Sequence, residues 1–333
     1  MSKSTRIQFS LPQLVMGAMT GMLVPLMWCE VKGVAKMREH PVFHVTPGMP
    51  KVSDMWIALA MAVGLIAIRY VVSKAFYPLS RAILPPGVRE SAFRVDRLAT
   101  SLFKVVFFTW IAVLGYDVIK DEEWFPVSLG GSGDIVKVFK VFDVAPSTSL
   151  KYYVLLQVAY QMHSLLYVLL MKPLDGDTMD FVVHDFTSIL AMGSSYLVNY
   201  LALSATVGFL NDACDIFQYA FFIATDSERK PVISVMYLVL LVIWGYTRLY
   251  VYPVEVISNV FVELPGNNPN ASRAYYWSGE TMLCAMFGLQ AWWFFLFAEK
   301  GRRKLMKKSP YTKIIGESKA LKPQERRWTS QAP

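Results

Sequence analysis

Residues 184–215 read HDFTSILAMGSSYLVNYLALSATVGFLNDACD. The stretch is mostly apolar, yet it opens on His184-Asp185 and closes on Asn211-Asp212 and Asp215. Its halves belong to two apolar runs, Phe181 to Tyr200 and Leu203 to Ala224. Each is close to the roughly 20 residues that a helix needs to cross a bilayer core. An ionisable side chain inside such a run is costly in lipid and marks a functional site by default. Three carboxylates and an imidazole in two consecutive spans must therefore turn toward a cavity lined by protein. Asn211, Asp212, Asp215 and Gln218 recur at spacings of three and four, on one face of a helix. Ser188 and Ser195 share roughly the His184 side of theirs.

Two readings of this set stay open. One is a hydrogen-bond network that ties two helices together. The other is an acid–base site, in which a neutral imidazole takes a proton near physiological pH. A carboxylate on its other nitrogen would fix the tautomer and stabilise the cation. A metal is not expected, since only His184 and His163 are placed to supply nitrogen. His163 lies one span earlier, beside Gln161 and Ser164. It reads either as a packing residue or as a second imidazole facing the same cavity.

Outward from this pair the pattern repeats. Met55 to Val72, Leu102 to Val118, Tyr152 to Met171, Val232 to Val251 and Met282 to Ala298 are further apolar runs of span length. The expected fold is all-α, a polytopic membrane helix bundle of seven spans. A weaker run, Leu11 to Trp28, reads as a signal sequence, an extra membrane helix or an interfacial helix. The expected domains are an N-terminal segment (residues 1–54), a transmembrane domain (55–304) and a basic, disordered tail (305–333).

Composition agrees with a membrane chain. Of 333 residues, 54% are hydrophobic and only 17% charged, against about 25% charged in soluble domains. Three scattered cysteines provide neither a disulfide framework nor a zinc spacing. The net charge of +8 does not indicate nucleic acid, because the basic residues crowd the tail after the last apolar run. Lys74, Arg81, Arg89, Arg94 and Arg97, then Arg229 and Lys230, then the tail fall on one side if seven spans alternate. By the positive-inside bias that side is cytoplasmic. The Val254 to Tyr275 segment is then a far-side loop carrying a glycosylation sequon, Asn270-Ala271-Ser272. Gly130-Gly131-Ser132-Gly133 reads as a flexible far-side loop.

The 184–215 stretch resembles the Lag motif of ceramide synthases, within the TLC domain. His184 matches the first histidine of that motif's His-His pair. Asn199-Tyr200 falls at the family spacing, and Asp212 and Asp215 match its two aspartates without a gap. Arg69-Tyr70 with Pro78-Leu79-Ser80, and Thr247-Arg248-Leu249 with Pro253, resemble the family's first and sixth spans. Two positions depart: Asp185 replaces the second histidine of the pair, and Asn211 replaces the histidine before the first aspartate. The resemblance implies N-acylation of a sphingoid base by a fatty acyl-CoA in the endoplasmic reticulum membrane. It implies no bound cofactor, with acyl-CoA as co-substrate. His184 would be the base or nucleophile, with Asp212 and Asp215 as its catalytic partners. Asp185, Asn211, His163 and Arg248 would contact substrate, and the cytoplasmic arginines would meet the CoA phosphates. Membrane lipids and a homo- or hetero-oligomer are the expected partners. A TLC-fold protein that binds or senses lipid without acylating it, or that is a structural subunit, is the alternative. A transporter or channel is a third reading.

Overall fold

The computed structural model describes residues 11–140, 143–171, 176–267 and 273–306. Among them are eleven α-helices and no strand: α1 (Leu11–Met37), α2 (Val42–Val45), α3 (Asp54–Ala75), α4 (Tyr77–Ile83), α5 (Ala92–Ile119), α6 (Thr148–Met171), α7 (Gly176–Leu197), α8 (Leu201–Asp226), α9 (Lys230–Trp244), α10 (Ser258–Asn267) and α11 (Arg273–Met306). The chain divides into two compact units, Met1–Trp292 and Trp293–Pro333. The first holds α1 to α10 and the candidate site. The described part of the second, residues 293–306, is helical.

Local chemistry sets the helix ends. The Ser91 hydroxyl accepts from the Arg94 amide at the start of α5 (3.4 Å), and the Ser147 hydroxyl accepts from the Leu150 amide at the start of α6 (3.2 Å). Both satisfy donors that a first turn leaves without a partner. Proline occupies the first turns of α4 and α9, where its missing N–H costs nothing. Asn199 adopts φ 64° in the turn between α7 and α8, a left-handed conformation that asparagine tolerates better than most residues. Its side chain donates to the Val144 carbonyl (2.8 Å). Arg38 donates to the Leu197 carbonyl at the end of α7 (2.8 Å).

Five helical segments are long and apolar enough to cross a membrane: Asp54–Ala75, Ala92–Ile119, Thr148–Met171, Lys230–Glu263 and Arg273–Glu299. The helices α7 and α8, of 22 and 26 residues, are long enough but fall outside that set. Their polar residues lower the hydropathy. Packing runs mainly α5 on α8, α6 on α7 and α3 on α6, with α1 against α7. Small residues permit the closest approaches. A Cβ at Gly115 of α5 would meet the Tyr153 ring of α6 at 2.6 Å, and one at Gly208 of α8 would meet Gln157 at 3.0 Å.

Two loop expectations are corrected. The segment after α9 does not become a loop at Val254. It continues as a π-helix, Gly245–Ile257, and then as α10. A π-turn suits Pro253, because the wider turn relieves the clash of the proline ring with the preceding carbonyl. The Gly130 to Gly133 segment is packed rather than flexible. A Cβ at Gly131 would lie 2.2 Å from the Phe125 carbonyl, and one at Gly133 2.3 Å from the Glu123 carbonyl. Trp124, Phe125, Val138 and Phe139 are buried in the core. The Ser128 hydroxyl donates to Glu255 of the π-helix (2.6 Å). The sequon at Asn270 and the tail from residue 307 lie outside the described residues.

Candidate active site

The polar residues of α8 divide between two sides, since successive residues on a helix are turned by about 100°. Asp212 is buried and accepts a hydrogen bond from the Gln157 amide of α6, which also reaches the Tyr153 hydroxyl (3.0 Å). Asp215 pairs instead with the guanidinium of Arg248, in the π-helix. Arg248 also donates to the Asn211 carbonyl (3.3 Å) and lies over the Trp244 ring, 4.7 Å from its centroid. Asn211 donates to the Val207 carbonyl (2.9 Å), and its side-chain oxygen accepts from Gln290 of α11 (3.2 Å). Asn211, Asp215, Arg248 and Gln290 thus join α8, the π-helix and α11. Asp212 joins α8 to α6.

On α7, the His184 Nδ1 lies 3.1 Å from Asp185 Oδ1. The histidine side chain is 22% exposed and the aspartate 6%. The second Asp185 oxygen is buried without a hydrogen-bond partner. His163 of α6 is fully buried, its ring tilted against the Tyr160 ring at 5.5 Å. Arg69 and Lys104 lie within electrostatic range of it.

Asp185 from α7 and Asp215 from α8 both lie within electrostatic range of the Tyr160 and Tyr219 hydroxyls. Tyr219 also accepts from the Lys104 ammonium of α5 (2.7 Å), which sits over its ring. Phe107 and Phe108 pack on Tyr160 at 4.6 and 5.1 Å. Arg69 lies over the Tyr167 ring at 3.4 Å.

Sequence reasoning passed over Gln157, Gln290, Lys104 and the two tyrosines. A signal existed for the first three, since each is a polar or charged side chain inside an apolar run. None existed for Tyr160 and Tyr219, which look like ordinary core aromatics. Of the arginines expected to meet CoA phosphates, Arg94 and Arg97 pair with the buried Asp226 at the end of α8. Arg89 donates to the Leu84 carbonyl (2.8 Å). Among the described residues no group of three His, Cys, Asp or Glu is arranged to hold a metal ion.

Comparison with known proteins places this geometry in context. The family profile of the TLC domain matches residues 97–299. A ceramide synthase of Arabidopsis thaliana, LOH2, is 24% identical over 264 residues, covering 76% of this chain and 86% of the relative. Ceramide synthase hyl-2 of Caenorhabditis elegans is 21% identical over 226 residues, 65% of this chain and 66% of the relative. Human ceramide synthase 4 is 25% identical over 148 residues, 44% of this chain. The chain spans only 36% of that human protein's length.

Proposed function

The chain belongs to the TLC-domain family, and from that membership we propose that it is a ceramide synthase-like N-acyltransferase. It would join the acyl group of a fatty acyl-CoA to the amine of a sphingoid base. The observation that carries this reading is the His184–Asp185 pair, in which the more exposed imidazole is held by a buried carboxylate. The Asp185 carboxylate orients the ring through Nδ1 and stabilises the imidazolium when it forms. The imidazole takes a proton from the substrate ammonium, and the freed amine attacks the thioester carbonyl. The C–N bond forms as the C–S bond breaks; of the two protons that the nitrogen loses, one goes to the CoA sulfur and the other to solvent. Asp212 and Asp215 act through their partners, Gln157 and Arg248, to hold the walls of the site. Asn211, Arg248, Asp185 and His163 line it.

This function goes with seven crossings, α3, α5, α6, α7, α8, α9 with α10, and α11, in the endoplasmic reticulum membrane with a cytoplasmic tail. Contacts at the helix ends support α7 and α8 as full spans. The end of α7 meets the start of α3 through Tyr196 and Asp54 (2.7 Å). The end of α8 meets the start of α5 through Asp226 and Arg97. A second reading, a lipid-binding protein without acyl transfer, is favoured by Asp185 and Asn211 at the positions of two family histidines.

The test is purified protein in lipid nanodiscs, supplied with sphinganine and acyl-CoAs of graded chain length, with the N-acyl product read by mass spectrometry. We expect product, and a loss of about 100-fold or more in His184→Ala. Product formed by His184→Ala but not by His163→Phe would move the chemistry to α6. No product from the parent with any acyl-CoA would favour the second reading.

A further inference from the structure

A cavity of about 160 Å³ lies away from these residues, between the first turns of α3 and α6. That is room for about five waters at their liquid volume, enough for a small head group and too little for an acyl chain. Gly48, Asp54, Lys151 and Tyr196 form its polar wall, and Ile57, Tyr152 and Leu155 its apolar one. The order along each helix is the same. Asp54 and Lys151 sit in the first turns, and Ile57 and Leu155 lie three and four residues further along, on the same faces. Both helices are of span length and apolarity. The charges therefore sit at head-group depth and the aliphatic side chains just below. Further along the Ile57 face, α3 carries Met61 and the exposed Ile68, a surface suited to acyl chains.

The two charges are incompletely satisfied by each other. Lys151 is 3.6 Å from Asp54, with side chains 20% and 15% exposed, and it donates to the Gly48 carbonyl (3.2 Å). Three donors converge on one Asp54 oxygen, Oδ2: the Lys51 amide (2.9 Å), the Tyr196 hydroxyl (2.7 Å) and Lys151. Among the described residues no donor is placed on Asp54 Oδ1. Lys151, in the first turn of α6, faces the positive end of a helix dipole, where a cation is disfavoured. Arg38 lies within electrostatic range of Asp54, so the surroundings carry a positive excess. An anionic group beside Lys151 and an ammonium beside Asp54 Oδ1 would complete both.

We propose that this cavity binds the head group of one membrane phospholipid bearing a phosphate and a primary ammonium, with its chains along α3. Phosphate oxygens meet Lys151 and the ammonium meets Asp54 Oδ1. The site is separate from the proposed acyl-transfer site and does not depend on that reading.

The full chain, purified in detergent and supplied with phosphatidylethanolamine, should retain one molecule in native mass spectrometry. Lys151→Met should reduce retention at least tenfold. Ile57→Trp should do the same by filling the cavity mouth while both charges remain. Ile57 is 38% exposed, so this variant should melt within a few degrees of the parent, which separates lost binding from lost folding. Phosphatidylglycerol, without the ammonium, should be retained more weakly than phosphatidylethanolamine by the parent. Soluble phosphoethanolamine should compete poorly, lacking the chain contacts. Equal retention of phosphatidylethanolamine by the parent and both folded variants would overturn the proposal, as would equal retention of the two lipids by the parent. Full displacement by phosphoethanolamine would overturn the assignment to a lipid.

Discussion

Asp215 and Arg248 show how far a residue's surroundings decide its role. Arg248 is buried and spends its guanidinium on Asp215, the Asn211 carbonyl and the Trp244 face. Removing one partner of a desolvated pair strands the other charge, at about 3–5 kcal/mol, whereas removing both together costs far less. Arg248→Met should therefore lower the melting temperature sharply. The double variant Arg248→Met with Asp215→Leu should recover much of the loss. Equal losses in the single and double variants would mean that the guanidinium does not need this carboxylate. Either variant should also weaken the site, because the π-helix wall is held to α8 through this pair.

At the scale of the element, the turn after α7 and the loop after α5 carry specific conformational demands. Asn199→Val places a β-branched residue at φ 64°, a strain of about 1–2 kcal/mol, and removes the bond to Val144. Asn199→Gly loses the side chain without the strain and should melt above the valine variant; the reverse order would count against strain as the cause. In the loop, Gly131→Ala and Gly133→Ala both push a Cβ into backbone carbonyls. Both should loosen residues 123–139 and expose them to limited proteolysis, with the exposed Ser132→Ala as an unaffected control. These demands explain what was legible. Helix positions were, because the length and apolarity of a run are local properties. The continuation of the helix past Val254 was not, since Pro253 normally argues for a break and only a π-turn accommodates it. Nor was the packing of the glycine loop, which depends on Trp124 and Phe125 finding a core.

For the whole molecule, ion pairs cluster where helices end. Arg94 and Arg97 close on Asp226 and Glu228, and Lys151 and Tyr196 close on Asp54. In the orientation proposed above, the start of α5 and the end of α8 face the cytoplasm. Protease added outside sealed microsomes should then cleave the tail after Met306; a protected tail would reverse the orientation. By itself the sequence determined the family, the helical class, the apolar runs and the presence of ionisable groups within them. The family follows from the resemblance of the 184–215 motif and the match of the TLC-domain profile, the rest from composition and spacing along one chain. Only the tertiary structure decided the partners: Asp212 with Gln157, Asp215 with Arg248, Asn211 with Gln290, and His184 with its own neighbour Asp185. The reason is that a carboxylate on a helix takes whichever donor the adjoining helix turns toward it. That rotation is set by contacts far away in sequence, such as Gly115 against Tyr153, Gly208 against Gln157, and the π-turns that carry Arg248 to Asp215.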